Sequence, residues 1–471
     1  MARIVVVGAG MGAMGAAARL ARARHRVTVV ERGDTYGGAV GRWERDGFVF
    51  DTGPGLLHFP AVWRDLYIKT GRRELAEAVD LTRVDPAVEH RFADGTAVLL
   101  PAALGGARQA LDTALGAGAG DRWAALLGRA RQVWEATRRP LLEEPLTGPE
   151  QRGELAALEP FPARRQGLLR RRAPATLAEL AAEELRDPRL AALLTGVVQD
   201  YGLDPVRAPA SAAILAYAEQ TFGTWYPAGG MRALADAVYK RCLDRGVEFV
   251  FGASAARVLA RDGRAAGVEL ADGTRYLADT VVWGAAGMGQ PPSGSSRFSL
   301  LLALRGARPD GTPHRTLVHA DGLTVSVLRP GDPALCPDGA HETAVLSALV
   351  PAQGQGTVDW AAPDAAADGA DRLLAAADAA GLGLGERVLW REARTPLDIE
   401  GATGVPGGVI PGPALAGLGG AFLAAANTGR LPGAYRVGAL AHPGGGLAHA
   451  GMSGTLAAGL INEGPDWRGS Y

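Results

Sequence analysis

An unbroken apolar run, Ile4-Val-Val-Val7, closes on a glycine-rich turn, Gly8-Ala-Gly-Met-Gly12, and gives way to small residues spaced for a helix through Ala23. A second apolar strand, Arg26-Val-Thr-Val-Val, ends in the acid Glu31. Strand, turn, helix, strand and acid in this register predict a dinucleotide-binding βαβ unit, with the acid about 20 residues beyond the first glycine. Gly8 allows the tight turn and Gly10 lets a pyrophosphate approach the backbone. The helix start supplies unpaired N–H groups to that anion. Alternation at Val88–Leu100 predicts a hairpin about Asp94-Gly95, and Ala255–Leu270 another about Asp262-Gly263. Residues 103–220 read as mostly helical, and 285–410 as strand-rich with a helix near Ala365–Ala380.

A second glycine pair, Gly37-Gly38, follows the acid directly, which ordinary nicotinamide domains lack and which points to a flavin nucleotide. The end of the chain repeats the first pattern: a strand from Ala434, the turn Gly438-Ala-Leu-Ala-His-Pro-Gly-Gly-Gly446, then a helix of small residues. The two ends therefore read as halves of one site.

Composition changes this picture little. The chain has 471 residues, is 47% apolar and carries a formal net charge of −1, as expected of a globular protein of two domains and not of a nucleic-acid binder. Lysine occurs only at Lys69 and Lys240. Cys242 and Cys336 show no metal spacing and no disulfide framework, so no metal site is expected and a reducing compartment is the default. The first residues lead straight into a core strand and no apolar run is long enough to span a membrane. A cytoplasmic protein is expected, with attachment to a membrane surface as the variant.

The motifs together resemble the phytoene desaturase (carotenoid desaturase) family of FAD-dependent oxidoreductases. They are the two glycine-rich turns, Asp51-Thr-Gly-Pro54, Trp225-Tyr-Pro-Ala-Gly-Gly-Met231, Thr395-Pro-Leu-Asp398 and Gly407-Gly408. The resemblance implies an α/β fold: a Rossmann-like FAD-binding domain of the glutathione-reductase/amine-oxidase type, with an interleaved α+β substrate domain and a helical cap. The FAD-binding domain would comprise 1–72, 226–290 and 415–471; the substrate domain, 73–225 and 291–414, with the cap at about 103–220.

It also implies roles. Noncovalent FAD would be held by Gly8, Gly10, Gly12 and Ala13 at the pyrophosphate and by Glu31, followed by Arg32, at the ribose. Gly37 and Gly38 would let the backbone pass close to it, Pro54, Gly55 and Leu56 would border the isoalloxazine, and Ala255 would touch adenine. Gly438, Ala439, Gly446, Leu447 and Ala450 would close over the ribityl chain and pyrimidine. Ala39 stands where the family usually has Arg, with Arg42 as a substitute, and His449 stands where it usually has Gly. His449, His442 and Tyr226 are the catalytic candidates. His449 either tunes the flavin or fills space, His442 is more simply a turn residue, and Tyr226 with Trp225 either walls the substrate or packs in the core. His58 and Glu219 are secondary candidates, each with an ordinary loop or helix-face reading.

The implied reaction is dehydrogenation of an apolar, polyene-like or lipidic small molecule by hydride transfer to flavin N5. Isomerisation or aromatisation of a polyene, amine or amino-acid oxidation, and non-catalytic binding of prenyl or lipid groups are the alternatives. The run Arg164–Arg172, with five Arg in nine residues, suits an anionic membrane surface or an acidic carrier protein, against the plainer reading of a solvated face.

Overall fold

The computed structural model describes residues 1–146, 148–161, 165–166, 169–170, 175–287, 294–320 and 322–469. A five-stranded parallel sheet forms the dinucleotide unit, built from β1 (Arg3–Val7), β2 (Arg26–Val30), β3 (Glu248–Val250), β4 (Thr280–Trp283) and β5 (Ala434–Arg436) in the order β3-β2-β1-β4-β5. The apolar runs are explained by burial on both faces, which parallel sheets impose: Ile4 to Val7 are all buried. On one face lie α1 (Met11–Arg22), α2 (Met231–Leu243) and α3 (Leu447–Glu463). On the other lies a three-stranded antiparallel sheet of residues 255–261, 264–270 and 275–277.

A second, seven-stranded sheet runs 388–394, 295–305, 341–351, 323–328, 315–320, 88–92 and 97–100. It is antiparallel except where 315–320 pairs with 88–92. The helix Ala365–Ala379 covers part of it, and helices from the 104–222 region pack on the edge that carries Val88, Phe92 and Leu317. That helical region is interrupted by a short antiparallel pair, 165–166 with 169–170. The arginine-rich run 164–172 lies largely outside the described residues.

A small sheet ties the two units together. Leu57–His58 pairs with Thr224–Pro227, which pairs in turn with Leu81–Arg83. His58 and the segment before it are thereby fixed between the glycine-rich turns and the cap helices. Among the described residues no helix is long and apolar enough to cross a membrane.

Candidate functional site

The first turn has the geometry a pyrophosphate requires. Gly8 has φ +90°, in the left-handed region that disfavours a side chain, and its N–H donates to the Val30 carbonyl at 2.8 Å. The α1 helix starts at Gly10 with no side-chain cap and no acid in its first turn, leaving its N-terminal dipole unopposed. The third small position, Ala13, packs on Gly284, where a Cβ would come within 2.9 Å of it.

At the end of β2 the Glu31 carboxylate folds back over this turn. Its Oε2 accepts the Ala9 N–H at 2.6 Å and its Oε1 the Gly33 N–H at 2.8 Å. Each oxygen keeps lone-pair capacity, so an oriented, half-exposed acceptor stands where a ribose would lie. The Arg32 side chain turns the other way and donates to the Gly401 carbonyl at 2.6 Å.

The second glycine pair presses on the first. Gly37 donates to the Ala9 carbonyl at 2.8 Å, and a Cβ on Gly38 would lie 3.0 Å from Gly10 Cα. Both have positive φ. The exposed Ala39 abuts Gly53, where a Cβ would fall on the Ala39 carbonyl. Arg42 pairs with Glu44 at 2.5 Å on an exposed strand. Pro54 is exposed, Gly55 lies against Leu328, and Leu56 is buried beside Tyr226. Ala255 packs near Val5, Val7 and Val30.

From the other end of the chain comes α3, which packs on α1 backbone to backbone: a Cβ on Gly12 would lie 2.5 Å from the Ala450 carbonyl oxygen, and one on Gly454, 2.4 Å from that of Gly12. This contact, rather than a phosphate, requires glycine at position 12. The helix begins at Gly446 (φ +93°), again with no side-chain cap and no acid in its first turn. Gly438 donates to Ser453 Oγ at 3.1 Å, and Asn427 Nδ2 donates to Ser453 Oγ and to the Arg436 and His442 carbonyls. This network fixes the last turn, with the half-buried Ala439 beside it and Leu447 at its end. Two open helix N-termini, an oriented acid and close-packed glycine backbone fit a bound dinucleotide.

His449 lies in the first turn of α3, and burial, followed by His442 nearby, pushes its pKa down to about 4. It is a neutral imidazole at pH 7. His442 is 0% exposed; Nε2 donates to the Glu144 carbonyl at 3.0 Å, which pins the turn to the cap, and Nδ1 has no partner. The Tyr226 hydroxyl donates to Asp332 at 2.9 Å and its ring packs on His314. Trp225 donates to the Phe222 carbonyl.

Several sequence motifs prove to be matched halves. Asp51 accepts the Met231 N–H at 2.9 Å and caps α2, with Gly230 so close that a Cβ would sit 3.0 Å from the carboxylate. Desolvation there raises the Asp51 pKa to about 6. Asp398 caps its own helix through Thr395, and a Cβ on Gly408 would fall 2.0 Å from the Pro396 carbonyl oxygen. Sequence reasoning missed one buried group altogether. Arg315, 1% exposed, is held by Asp200 at 2.5 Å and Glu219 at 3.0 Å, next to His58 and Tyr201. An arginine opening the strand Arg315-Thr-Leu-Val-His-Ala320 was the available signal.

This is a mixed α/β protein with a Rossmann-like dinucleotide-binding unit, and residues 6–68 match the family described as NAD(P)-binding Rossmann-like domain. The chain is similar in sequence to phytoene and other carotenoid desaturases. It is 31% identical to the zeta-carotene-forming phytoene desaturase of Myxococcus xanthus over 59% of this chain and 52% of that one. It is 28% identical to the hydroxyneurosporene desaturase of Rubrivivax gelatinosus over 97% and 92%. The chain spans about half the length of several curated relatives it matches. Putrescine oxidase bound to putrescine shares the fold at a TM-score of 0.65 and 15% identity, covering 98% of each chain.

Proposed function

We propose that the protein is an FAD-dependent oxidoreductase that dehydrogenates an apolar, polyene-like or lipidic molecule. The observation that carries this reading is the pairing of two uncapped helix N-termini, α1 and α3, across a backbone-to-backbone contact, with Glu31 held above the first. The names of the relatives, a phytoene desaturase and a hydroxyneurosporene desaturase, support this reading.

When bound noncovalently, FAD supplies the hydride acceptor. The chain's own residues do the rest. Gly8, Gly10 and the α1 N-terminus hold the pyrophosphate, Glu31 accepts from the ribose, and the turn Gly438–Gly446 closes over the flavin end. His449, kept neutral by burial, offers a ring N–H at the start of α3, where negative charge is stabilised. The half-buried aromatic side chains Phe59, Trp134, Tyr217 and Phe222 supply an apolar wall that keeps water from the reacting carbons. The proton released from the substrate leaves to a base or to water, and a carbon–carbon double bond forms.

Amine oxidation is disfavoured. Lys69 and Lys240 are the only lysines, and both are exposed, on the helix Ala61–Gly71 and on α2. The test is anaerobic reduction of the purified yellow protein. Bleaching of its flavin absorbance by long acyclic polyenes and not by putrescine is expected; a colourless protein that takes up no FAD, or bleaching by the amine alone, would overturn the reading.

A further inference from the structure

A line of polar side chains crosses the apolar contact between the seven-stranded sheet and the cap helices. Arg315, Leu317 and His319 alternate onto one sheet face, His90 is registered opposite Leu317, and Thr324 opposite His319. His90 is 1% exposed, and its Nδ1 is hydrogen-bonded to His319 Nε2 at 3.0 Å, the two rings lying parallel. His319 Nδ1 faces Thr324 Oγ1 at 3.3 Å. Gly196, on the covering helix Pro188–Asp200, makes room for the pair: a Cβ there would lie 3.2 Å from His319 Cε1. Burial pushes the His319 pKa down to about 4; burial, then His319 and Arg315, push that of His90 down as well, so both rings are neutral at pH 7. Apolar residues of similar size would fill this space without the cost of desolvating ring nitrogens.

The line has two ends. At the inner end His90 lines a cavity of about 50 Å³ whose other polar walls are Arg315, Glu219, Gln220 and Thr224, a volume and a set of partners suited to water. Thr224 and Glu219 also reach His58: Thr224 Oγ1 is 3.4 Å from His58 Nδ1, and Glu219 Oε1 is 3.5 Å from His58 Nε2. The half-buried His58 ring lies 5.4 Å from that of Tyr201, and a Cβ on Gly446, at the start of α3, would lie 3.9 Å from the Tyr201 ring. At the outer end His319 and Thr324 are half-buried on either side of a hairpin turn with an exposed Gly322.

Dehydrogenation behind an apolar wall needs an exit for a proton. For each double bond formed, one C–H bond gives up its hydrogen with both electrons as hydride to the flavin. The neighbouring carbon gives up a proton, and the electron pair left behind becomes the new π bond. A long apolar substrate fills the entrance by which water could carry that proton away.

We propose that His58, water in the adjoining cavity and the His90–His319 pair form a path that carries the substrate's proton from the site to bulk water at the 320–323 turn. A neutral imidazole takes a proton on one ring nitrogen while giving up the proton on the other, so the pair passes one along without holding charge in the core. The proposal rests on the oxidoreductase reading above and supplies its proton acceptor.

The test has two arms. In the oxidised, substrate-free, flavin-loaded protein carrying ¹⁵N-labelled histidine, a scalar coupling between His90 Nδ1 and His319 Nε2 is expected at pH 7, with both rings neutral. In the second arm a long acyclic polyene reduces the flavin in a single anaerobic turnover at pH 8, in weak buffer with a pH-indicator dye, so that bleaching and proton release are timed together. The two should coincide in the parent. His90→Gln and His319→Gln keep a hydrogen-bonding amide of similar size but no ring that exchanges one proton for another. Bleaching should keep its rate, while proton release should lag by roughly 10²-fold, the lower end of what a positioned proton-transfer group contributes. Prompt proton release in both variants, bleaching and release slowed together, or no coupling between the rings in the parent would each overturn the path. A flavin that the polyene does not bleach in the parent removes the oxidoreductase reading and the path with it, whereas normal bleaching with prompt release in the variants removes the path alone.

Discussion

Two glycines one turn apart in α1 should respond to the same substitution with opposite sign. At Gly12 an added Cβ would sit 2.5 Å from the Ala450 carbonyl oxygen, 3.2 Å from its carbon and 3.0 Å from Gly438 Cα, all backbone atoms that cannot rotate away. Ordinary contact begins near 3.4 Å, so Gly12→Ala forces α1 and α3 apart by about 1 Å. Overpacking of this kind costs about 1–3 kcal/mol, against a helix-propensity gain of about 1 kcal/mol. The same gain comes unopposed at Gly15, where nothing lies within 4 Å of the added atom. Gly15→Ala should therefore raise stability by up to about 1 kcal/mol and Gly12→Ala should lower it by up to about 2 kcal/mol. Urea denaturation followed by circular dichroism reads both. Gly12→Ala should also weaken FAD binding, because the same shift displaces two helix N-termini, while Gly15→Ala should not. A Gly12→Ala protein as stable as the Gly15→Ala protein would refute backbone-to-backbone packing of these helices.

Other outcomes follow from the same geometry. Glu31→Ala strips two backbone N–H groups and the ribose of a charged acceptor, so the FAD dissociation constant should rise roughly 10- to 100-fold, from a loss of about 1.5–3 kcal/mol; unchanged affinity by fluorescence titration would show that Glu31 does not touch the nucleotide. His449→Gly removes the donor at the start of α3, so the flavin midpoint potential should fall and reduction by substrate should slow about 10²-fold; an unchanged potential with full flavin content would make His449 a packing residue. Asp51 titrates near 6 when folded and near 3.8 in the unfolded chain, so the folded state holds its proton more tightly. The stability this lends is complete below about pH 4 and is lost as pH rises to 6, by about 3 kcal/mol. Asp51→Asn still accepts from Met231 without the charge, so it should be more stable than the parent above pH 6 and flat between pH 4 and 6; identical slopes for the two proteins in urea titrations would show that Asp51 is not desolvated.

The parts of the fold legible in the sequence are those whose signal is local. The β1–α1–β2 unit follows from an apolar run, a glycine turn and small-residue spacing, and the 88–100 and 255–270 hairpins follow from alternation around a turn dipeptide. The glycines of the site were legible as positions and less so as causes. Gly12 reads like a phosphate contact because it stands in the turn, yet the requirement comes from α3, more than 430 residues later in the chain. Arg42 reads like a replacement for the arginine absent at position 39, but strand geometry puts positions 42 and 44 on one face, and Glu44 claims the guanidinium first.

What the sequence conceals is the partner of each half-motif. Asp51 and Met231 lie 180 residues apart, and neither shows alone that one caps the helix begun by the other. The Pro396 carbonyl and Gly408 stand in the same relation, and so do Arg315 with Asp200 and Glu219. In the first two cases a short motif is held by a second motif that would collide with any larger residue, which is how a discontinuous chain keeps its segments in register without long-range signals in hydropathy. The Arg315 cluster differs in one respect. Its hold is ionic instead of steric: two carboxylates and two guanidiniums balance in charge and join the 315–320 strand to the helices that carry Asp200 and Glu219.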